Sequence, residues 1–296
     1  MTRALRRSAL YLPASNARAI EKAPSLKCDM VILDLEDSVA PDMKVIARAQ
    51  ATQAIRRGGF DEQRTLIRVN GADTPWGKDD LDAIVSTGCG VLLPKIGSAA
   101  ELDAFRDRLG PRPVWAMIET ARSILRLEEI ACAPGIAGLV FGGNDLAKEL
   151  GNRPGPHRAP FVAILTQMVA AARAYGLSVL DGVYNDIDDV EGFENEARQA
   201  ADLGFDGKTL IHPKQIDACH RAFMPSVEEL GWACSVRDAF ARSENDGKGV
   251  IRLDGRMVER LHLHQALEML ARATSEAAEA RVPHPIFEHE KDNSQC

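Results

Sequence analysis

The chain has 296 residues, 45% hydrophobic and 27% charged, with a formal net charge of −7. That composition suits a globular core, and the negative excess argues against nucleic acid as the main partner. No apolar run approaches the roughly 20 residues of a membrane helix. The basic start Met1-Thr2-Arg3-Ala4-Leu5-Arg6-Arg7 lacks the apolar stretch of a signal peptide, and the six cysteines show no C-x-x-C spacing, so reduced thiols in a cytoplasmic protein are expected and a zinc site is not.

Along the chain, short β-rich runs at 8–12, 30–35, 65–69, 90–94, 114–118, 136–141, 177–180 and 204–210 alternate with helically spaced segments at 40–57, 78–87, 99–109, 121–131, 161–175 and 188–203. Runs such as Val114-Trp115-Ala116-Met117-Ile118 are continuously apolar rather than alternating, which is the mark of a strand buried on both faces of a parallel sheet. Eight such repeats predict a (β/α)₈ TIM barrel, a fold of about 250 residues. A doubly wound open sheet usually stops at about six strands, and no G-x-G-x-x-G follows the first strand here. After residue 210 the segments 215–224, 227–245 and 257–280 read as helices without strands, with a turn and short extended piece at 247–251. The expected division is a catalytic barrel over 1–214, a helical extension over 215–282 at an oligomer interface, and a polar, poorly ordered tail over 283–296.

Catalytic groups of such a barrel lie at the C-terminal ends of its strands. Those positions hold Asp34, Glu36 and Asp37, then Arg68 and Asn70, Lys95, Glu119, Asn144 and Asp145, Asp181, and finally Lys208 and His212. Glu119 and Asp145 follow successive apolar runs, where a buried carboxylate needs compensation. Two hard oxygen ligands suit Mg²⁺ when substrate and water complete its shell. Arg68 is suited to bind a substrate carboxylate in the two-pronged manner of guanidinium. Other readings are open at single positions: Asp37 as a turn residue, Asp145 as a helix N-cap, Lys95 as a Schiff-base lysine, Lys208 as an internal ion-pair partner, and His212-Pro213 as a rigid turn. His262 and His264 are two apart on a helix and are not expected to share a ligand.

The motifs Arg7-Ser8-Ala9-Leu10-Tyr11-Leu12-Pro13, Leu33-Asp34-Leu35-Glu36-Asp37-Ser38-Val39, Ile67-Arg68-Val69-Asn70, Leu93-Pro94-Lys95, Ile118-Glu119-Thr120-Ala121, Phe141-Gly142-Gly143-Asn144-Asp145-Leu146 and Gly207-Lys208-Thr209-Leu210-Ile211-His212-Pro213-Lys214-Gln215-Ile216 fall in order. Together, over residues 7 to 272, the chain resembles the citrate lyase β-subunit-like and malyl-CoA/citramalyl-CoA lyase family of the HpcH/HpaI-type aldolases. The resemblance implies a TIM barrel, dependence on Mg²⁺ (with Mn²⁺ as a substitute) and reversible cleavage of a 3-hydroxy-acyl-CoA to an acyl-CoA and a 2-oxo acid. It implies metal ligation by Glu119 and Asp145, with Glu119 also at the substrate, a substrate-carboxylate role for Arg68, and CoA contacts from Tyr11, Arg18 and Lys22. Asp37 joins the catalytic set, Glu36 and Lys95 stand behind it, and a homotrimer or its multiple is expected.

One departure concerns the DG-x-M turn near the C-terminus, after which many relatives carry an acid/base aspartate. Here the stretch is Leu253-Asp254-Gly255-Arg256-Met257-Val258-Glu259, and the matching position is Glu259. Glutamate is one methylene longer, and a misplacement of about 1 Å can cost on the order of 100-fold in rate. Two alternatives remain at this point: a citrate lyase β-subunit-like component acting on an acyl-carrier-bound substrate, and an aldolase of free hydroxy-oxo acids that needs no CoA.

Overall fold

The structure, a computed structural model, describes residues 5–153 and 156–279; the predicted tail 283–296 and the last residues of the predicted extension lie outside them. Eight parallel strands close into a barrel in chain order: β1 (Ser8–Pro13), β2 (Met30–Asp34), β3 (Thr65–Arg68), β4 (Gly90–Leu93), β5 (Val114–Ile118), β6 (Ile136–Phe141), β7 (Ser178–Asp181) and β8 (Gly207–Leu210). The helices between them are α1 (Ala17–Lys22), α2 (Lys44–Arg56), α3 (Gly77–Ile84), α4 (Ala99–Leu109), α5 (Ala121–Leu125), α6 (Leu127–Ala131), α7 (Gly143–Leu150), α8 (Val162–Ala174), α9 (Val190–Leu203) and α10 (Ile216–Phe223). The expected (β/α)₈ barrel is therefore present. Successive side chains of a strand point to opposite faces, so one parity fills the interior and the other meets the helices. Ala9, Met30, Ile32, Leu66, Leu92, Trp115, Met117, Val140 and Leu180 form the inner cluster. Leu10, Leu33, Ile67, Val91, Ala116 and Leu139 pack outward with the helices.

The inward parity also dictates the site. Continued to the C-terminal ends of the strands, it brings Tyr11, Asp34, Arg68 and Glu119 to one mouth of the barrel. Trp115 fits below because Gly138 faces it; a Cβ there would lie 2.4 Å from the indole. Of the helices predicted inside the barrel, 121–131 is broken at Arg126 into α5 and α6, and α5 opens with a reciprocal Thr120–Ser123 capping box.

Two compact units divide after Phe223 rather than at residue 214. The difference is α10. Its buried face of Ile216, Ala218 and Cys219 packs against α9 and the neighbouring strands, so it is the last helix of the barrel. The second unit contains α11 (Val227–Phe240), an antiparallel hairpin of β9 (Val250–Leu253) and β10 (Arg256–Glu259), and α12 (Arg260–Glu279). Its core is Ala233, Val236, Ala239, Ile251, Val258 and Ala266. The short extended piece expected at 247–251 overlaps β9, but the helix expected from 257 is corrected: residues 257–259 are strand, and α12 starts only at Arg260. Asp254 and Gly255 form the tight turn, both with positive φ (48° and 80°), the pairing a two-residue hairpin favours. Among the described residues no helix is long and apolar enough to cross a membrane.

Candidate active site

A cavity of about 310 Å³ opens at the C-terminal ends of the strands. Tyr11, Asp34, Asp37, Arg68, Glu119 and Asp145 all line it, together with Met117, the Gly142–Gly143 turn, Asn144, Asn185 and Thr209. Seven of the residues singled out in the sequence, Asn144 among them, are therefore gathered in one place.

The wall built by β2, β3 and the loop after β4 is a set of interlocked charges. The Arg68 guanidinium donates from Nε to Asp34 Oδ1 (2.7 Å) and from Nη2 to Asp34 Oδ2 (2.6 Å). Its Nη1 lies 3.1 Å from Glu36 Oε2, and its plane sits 4.8 Å over the Tyr11 ring. Asp34 also accepts the Glu36 N–H at 2.9 Å and bonds to the Ser38 side chain. Burial would raise the Asp34 pKa, but the adjoining Arg68 charge and these hydrogen bonds hold it below the usual carboxylate range. For Glu36, burial outweighs the attraction of Arg68 and Lys95, and its pKa is raised. The Lys95 ammonium bonds to Glu36 and lies 3.5 Å from Asp37 Oδ1. The predicted two-pronged clamp of Arg68 is thus closed on Asp34, a partner that needed the fold to be seen. Its remaining N–H groups and its fixed positive charge are what a ligand meets.

Across the cavity, the segments after β5 and β6 contribute the acids Glu119 and Asp145. Glu119 is 1% exposed, and its Oε1 accepts the Lys95 backbone N–H at 2.6 Å. Lys95 presents that N–H from a left-handed conformation (φ 54°), uncommon for a residue with a side chain. Glu119 has no ion-pair partner among the described residues. Burial chiefly, aided by Glu36 and Asp145 and opposed by the Lys95 N–H and by Arg68, pushes its pKa up to about 7. Asp145 is half-buried in the first turn of α7; Gly142, not Asp145, occupies the N-cap. No three His, Cys, Asp or Glu side chains converge as a ready-made metal cage among the described residues. Two carboxylates, one buried without a counter-charge, still fit Mg²⁺, which keeps several waters and commonly takes one or two protein carboxylates.

The other predicted positions fall elsewhere. Arg18 and Lys22 are exposed on α1, apart from Tyr11, which lines the cavity and whose pKa burial raises. Lys208 is the expected internal partner: it is buried, with Nζ 2.7 Å from both Asp181 and Glu196. His212 caps the turn that follows β8. Glu259 belongs to the second unit, at the end of β10, where its N–H donates to His262 Nδ1 at 2.9 Å. Sequence reasoning passed over Asn185, whose amide donates to Asn144 Oδ1 at 2.8 Å, and Met117, whose Sδ lies 3.8 Å from Arg68 Nη1. Met117 stands two residues before Glu119, so strand parity alone was a signal for it. Asn185, in an irregular loop, had none.

Residues 7–213 match the HpcH/HpaI aldolase/citrate lyase family. The chain belongs to that family. Among its relatives, a (3S)-malyl-CoA thioesterase of Cereibacter sphaeroides is 45% identical over 273 residues, covering 92% of this chain and 96% of the relative. A citrate lyase subunit beta-like protein of Mycobacterium tuberculosis is 39% identical over 276 residues, covering 91% and 96%. Of solved structures, protein CitE from Mycobacterium tuberculosis in complex with magnesium, acetoacetate and coenzyme A superposes with a TM-score of 0.81 at 37% identity, covering 92% of this chain and 99% of that one.

Proposed function

We propose that this chain is a Mg²⁺-dependent carbon–carbon lyase, cytoplasmic and assembled as a homotrimer or its multiple. It would cleave a 3-hydroxy-acyl-CoA of the malyl-, citramalyl- or β-methylmalyl-CoA type reversibly to an acyl-CoA and a 2-oxo acid. The observation that carries this reading is the buried, cation-free carboxylate of Glu119 sharing a cavity with Asp145 and facing the charge-paired Arg68. Glu119 and Asp145 would hold the ion, which when bound supplies positive charge to the oxygens of the hydroxy-acid end. Arg68, immobilised by Asp34, orients the substrate carboxylate. Glu36, Asp37 and Lys95 keep Arg68 and Glu119 in register. The hydroxyl would give up its proton to water, the C2–C3 bond would break with its electrons passing into the thioester enolate, and Glu259 would protonate the enolate carbon and regain its proton from water. Arg18 and Lys22 offer charge to the phosphates of CoA. The solved relative holding magnesium, acetoacetate and coenzyme A together supports a CoA-linked substrate.

A second reading is hydrolysis of the same thioester, favoured by the 45% identical malyl-CoA thioesterase. One assay separates the two. Purified protein is given (3S)-malyl-CoA with Mg²⁺ or with EDTA, and the products are quantified. The lyase releases glyoxylate and acetyl-CoA, and EDTA stops it. Malate and free CoA without glyoxylate would replace the lyase by the thioesterase. Turnover only of an acyl-carrier thioester, or only of a free hydroxy-oxo acid, would move the assignment to one of the two remaining alternatives.

A further inference from the structure

Lys44 opens α2 yet points away from solvent, with 6% of the residue exposed. Its ammonium donates to three acceptors: Leu35 O at 2.9 Å, Glu36 O at 2.8 Å and Asn70 Oδ1 at 2.7 Å. An ammonium has three donors, so this one is saturated, and every acceptor is neutral. No carboxylate lies within ion-pair distance of it among the described residues. The Trp76 ring closes one side at 5.3 Å. A buried cation held by neutral oxygens is an expensive arrangement. Burial accordingly lowers its pKa, against the pull of Asp34, Glu36, Asp37 and Asp80.

Such a cation secures the geometry of the Leu35–Glu36 turn. The turn has a second anchor: Asn70 Nδ2 donates to Leu35 O (2.9 Å) and to Asp80 Oδ2 (2.6 Å), and Arg48 holds the other Asp80 oxygen at 2.7 Å. The loops after β2 and β3 are thereby bound to α2 and α3. Glu36 is the residue the turn delivers. Its carboxylate meets both Arg68 and Lys95, and the Lys95 backbone holds Glu119.

We propose that Lys44 is a positioning residue for the oxo-acid site: its three hydrogen bonds fix the Glu36 carboxylate between Arg68 and Lys95, and so preset both the carboxylate-binding and the metal-binding walls. The proposal rests on the functional reading above and adds to it a residue that touches neither substrate nor ion. A mere structural staple would lower stability and leave ligand affinity alone; a positioning residue couples to Glu36.

The test is calorimetric binding of a 2-oxo acid (glyoxylate, pyruvate or oxaloacetate, whichever the wild-type protein binds most tightly) in the presence of Mg²⁺, well below the unfolding temperature of each variant. Lys44→Met removes the charge at similar volume and is expected to weaken binding about 10- to 100-fold, the usual effect of groups that orient metal ligands. Glu36→Gln should weaken it comparably, and the double variant should bind no worse than the weaker single one. In Lys44→Ala the missing atoms match n-propylammonium. Adding that cation should restore affinity, whereas tetramethylammonium, which has no N–H donor, should not. Wild-type affinity in Lys44→Met, additive losses in the double variant, or rescue by both cations alike would overturn the proposal while leaving the site assignment standing. No binding of glyoxylate, pyruvate or oxaloacetate by the wild-type protein would overturn that assignment and this proposal together.

Discussion

The two walls of the cavity face each other with opposite electrostatic character. On the β2–β4 side, Asp34, Glu36, Arg68 and Lys95 alternate in sign, and Arg68 meets Asp34 at 2.6 Å. On the β5–β6 side, Glu119 and Asp145 have no ion-pair partner among the described residues, and Asp145 raises the cost of ionising Glu119. Folding completes the first wall. The second gains its counter-charge only when a cation binds. One wall is thus part of the protein's stability and the other is held ready at its expense.

Breaking the finished wall should have the largest effect. Arg68→Met strands Asp34 as a buried charge without its guanidinium, and the loss should be about 3–5 kcal/mol of folding stability, read by chemical denaturation. A loss under about 1 kcal/mol would mean that water reaches Asp34 and that the wall is not prebuilt.

The unfinished wall should respond in reverse. Glu119→Gln should abolish most Mg²⁺-dependent turnover, by at least about 100-fold, without lowering the stability of the metal-free protein. The pH dependence follows the same division. Asp34 has a native pKa below its unfolded value, so its contribution is present above about pH 4 and is lost as pH falls through the lowered value. Glu119 is raised from 4.5 to about 7, so its contribution is full below the lower figure and is lost as pH rises through the upper one. Thermal unfolding without divalent ions should therefore decline between about pH 5 and pH 8, Glu119→Gln should flatten that decline, and Mg²⁺ should stabilise most at the alkaline end. A decline unchanged in Glu119→Gln would assign it to other groups.

Gly142→Ala tests how closely the unfinished wall is packed. A Cβ at Gly142 would sit 2.3 Å from Glu119 Cβ and 2.5 Å from Glu119 Oε2. Since Glu119 cannot retreat through a close-packed interior, its carboxylate must rotate. Mg²⁺ affinity by calorimetry should fall about 10-fold. An unaltered affinity would show that Oε2 does not face the ion.

How much of this was legible beforehand depended on how local each signal is. The strands were readable because a strand buried on both faces, such as 136–141, is one continuous apolar run. Strand ends then pointed to Glu119 and Asp145 without any knowledge of their neighbours. Asp34 was on the same roster, but that it occupies the fork of Arg68 depends on the register of β2 against β3, where Asp34 pairs with Arg68; no single segment encodes it. Lys44 carries no local signal in the sequence, because its three acceptors come from two other loops. The second strand of the hairpin, β10, was missed for a different reason. The Asp254-Gly255 turn signal was present, but residues 257–259 run straight into a long helix, and the helical period absorbed them.

The smallest expected effect concerns α1, outside both walls. Arg18 and Lys22 lie one turn apart on an exposed face, with no ion-pair partner among the described residues. Solvent screens such charges, so each contributes at most about 1 kcal/mol, and Arg18→Ala with Lys22→Ala should raise KM for a CoA ester only about 3- to 10-fold. The diagnostic is where the change appears. If these cations meet CoA phosphates, the effect shrinks as salt rises toward about 0.5 M, where the Debye length drops to a few ångströms, and oxaloacetate binding with Mg²⁺ stays at the wild-type level. A KM shift that is insensitive to salt, or one shared by the free oxo acid, would tie α1 to the cavity itself and erase the separation between a charged rim that gathers the substrate and two interior walls that hold its reacting end.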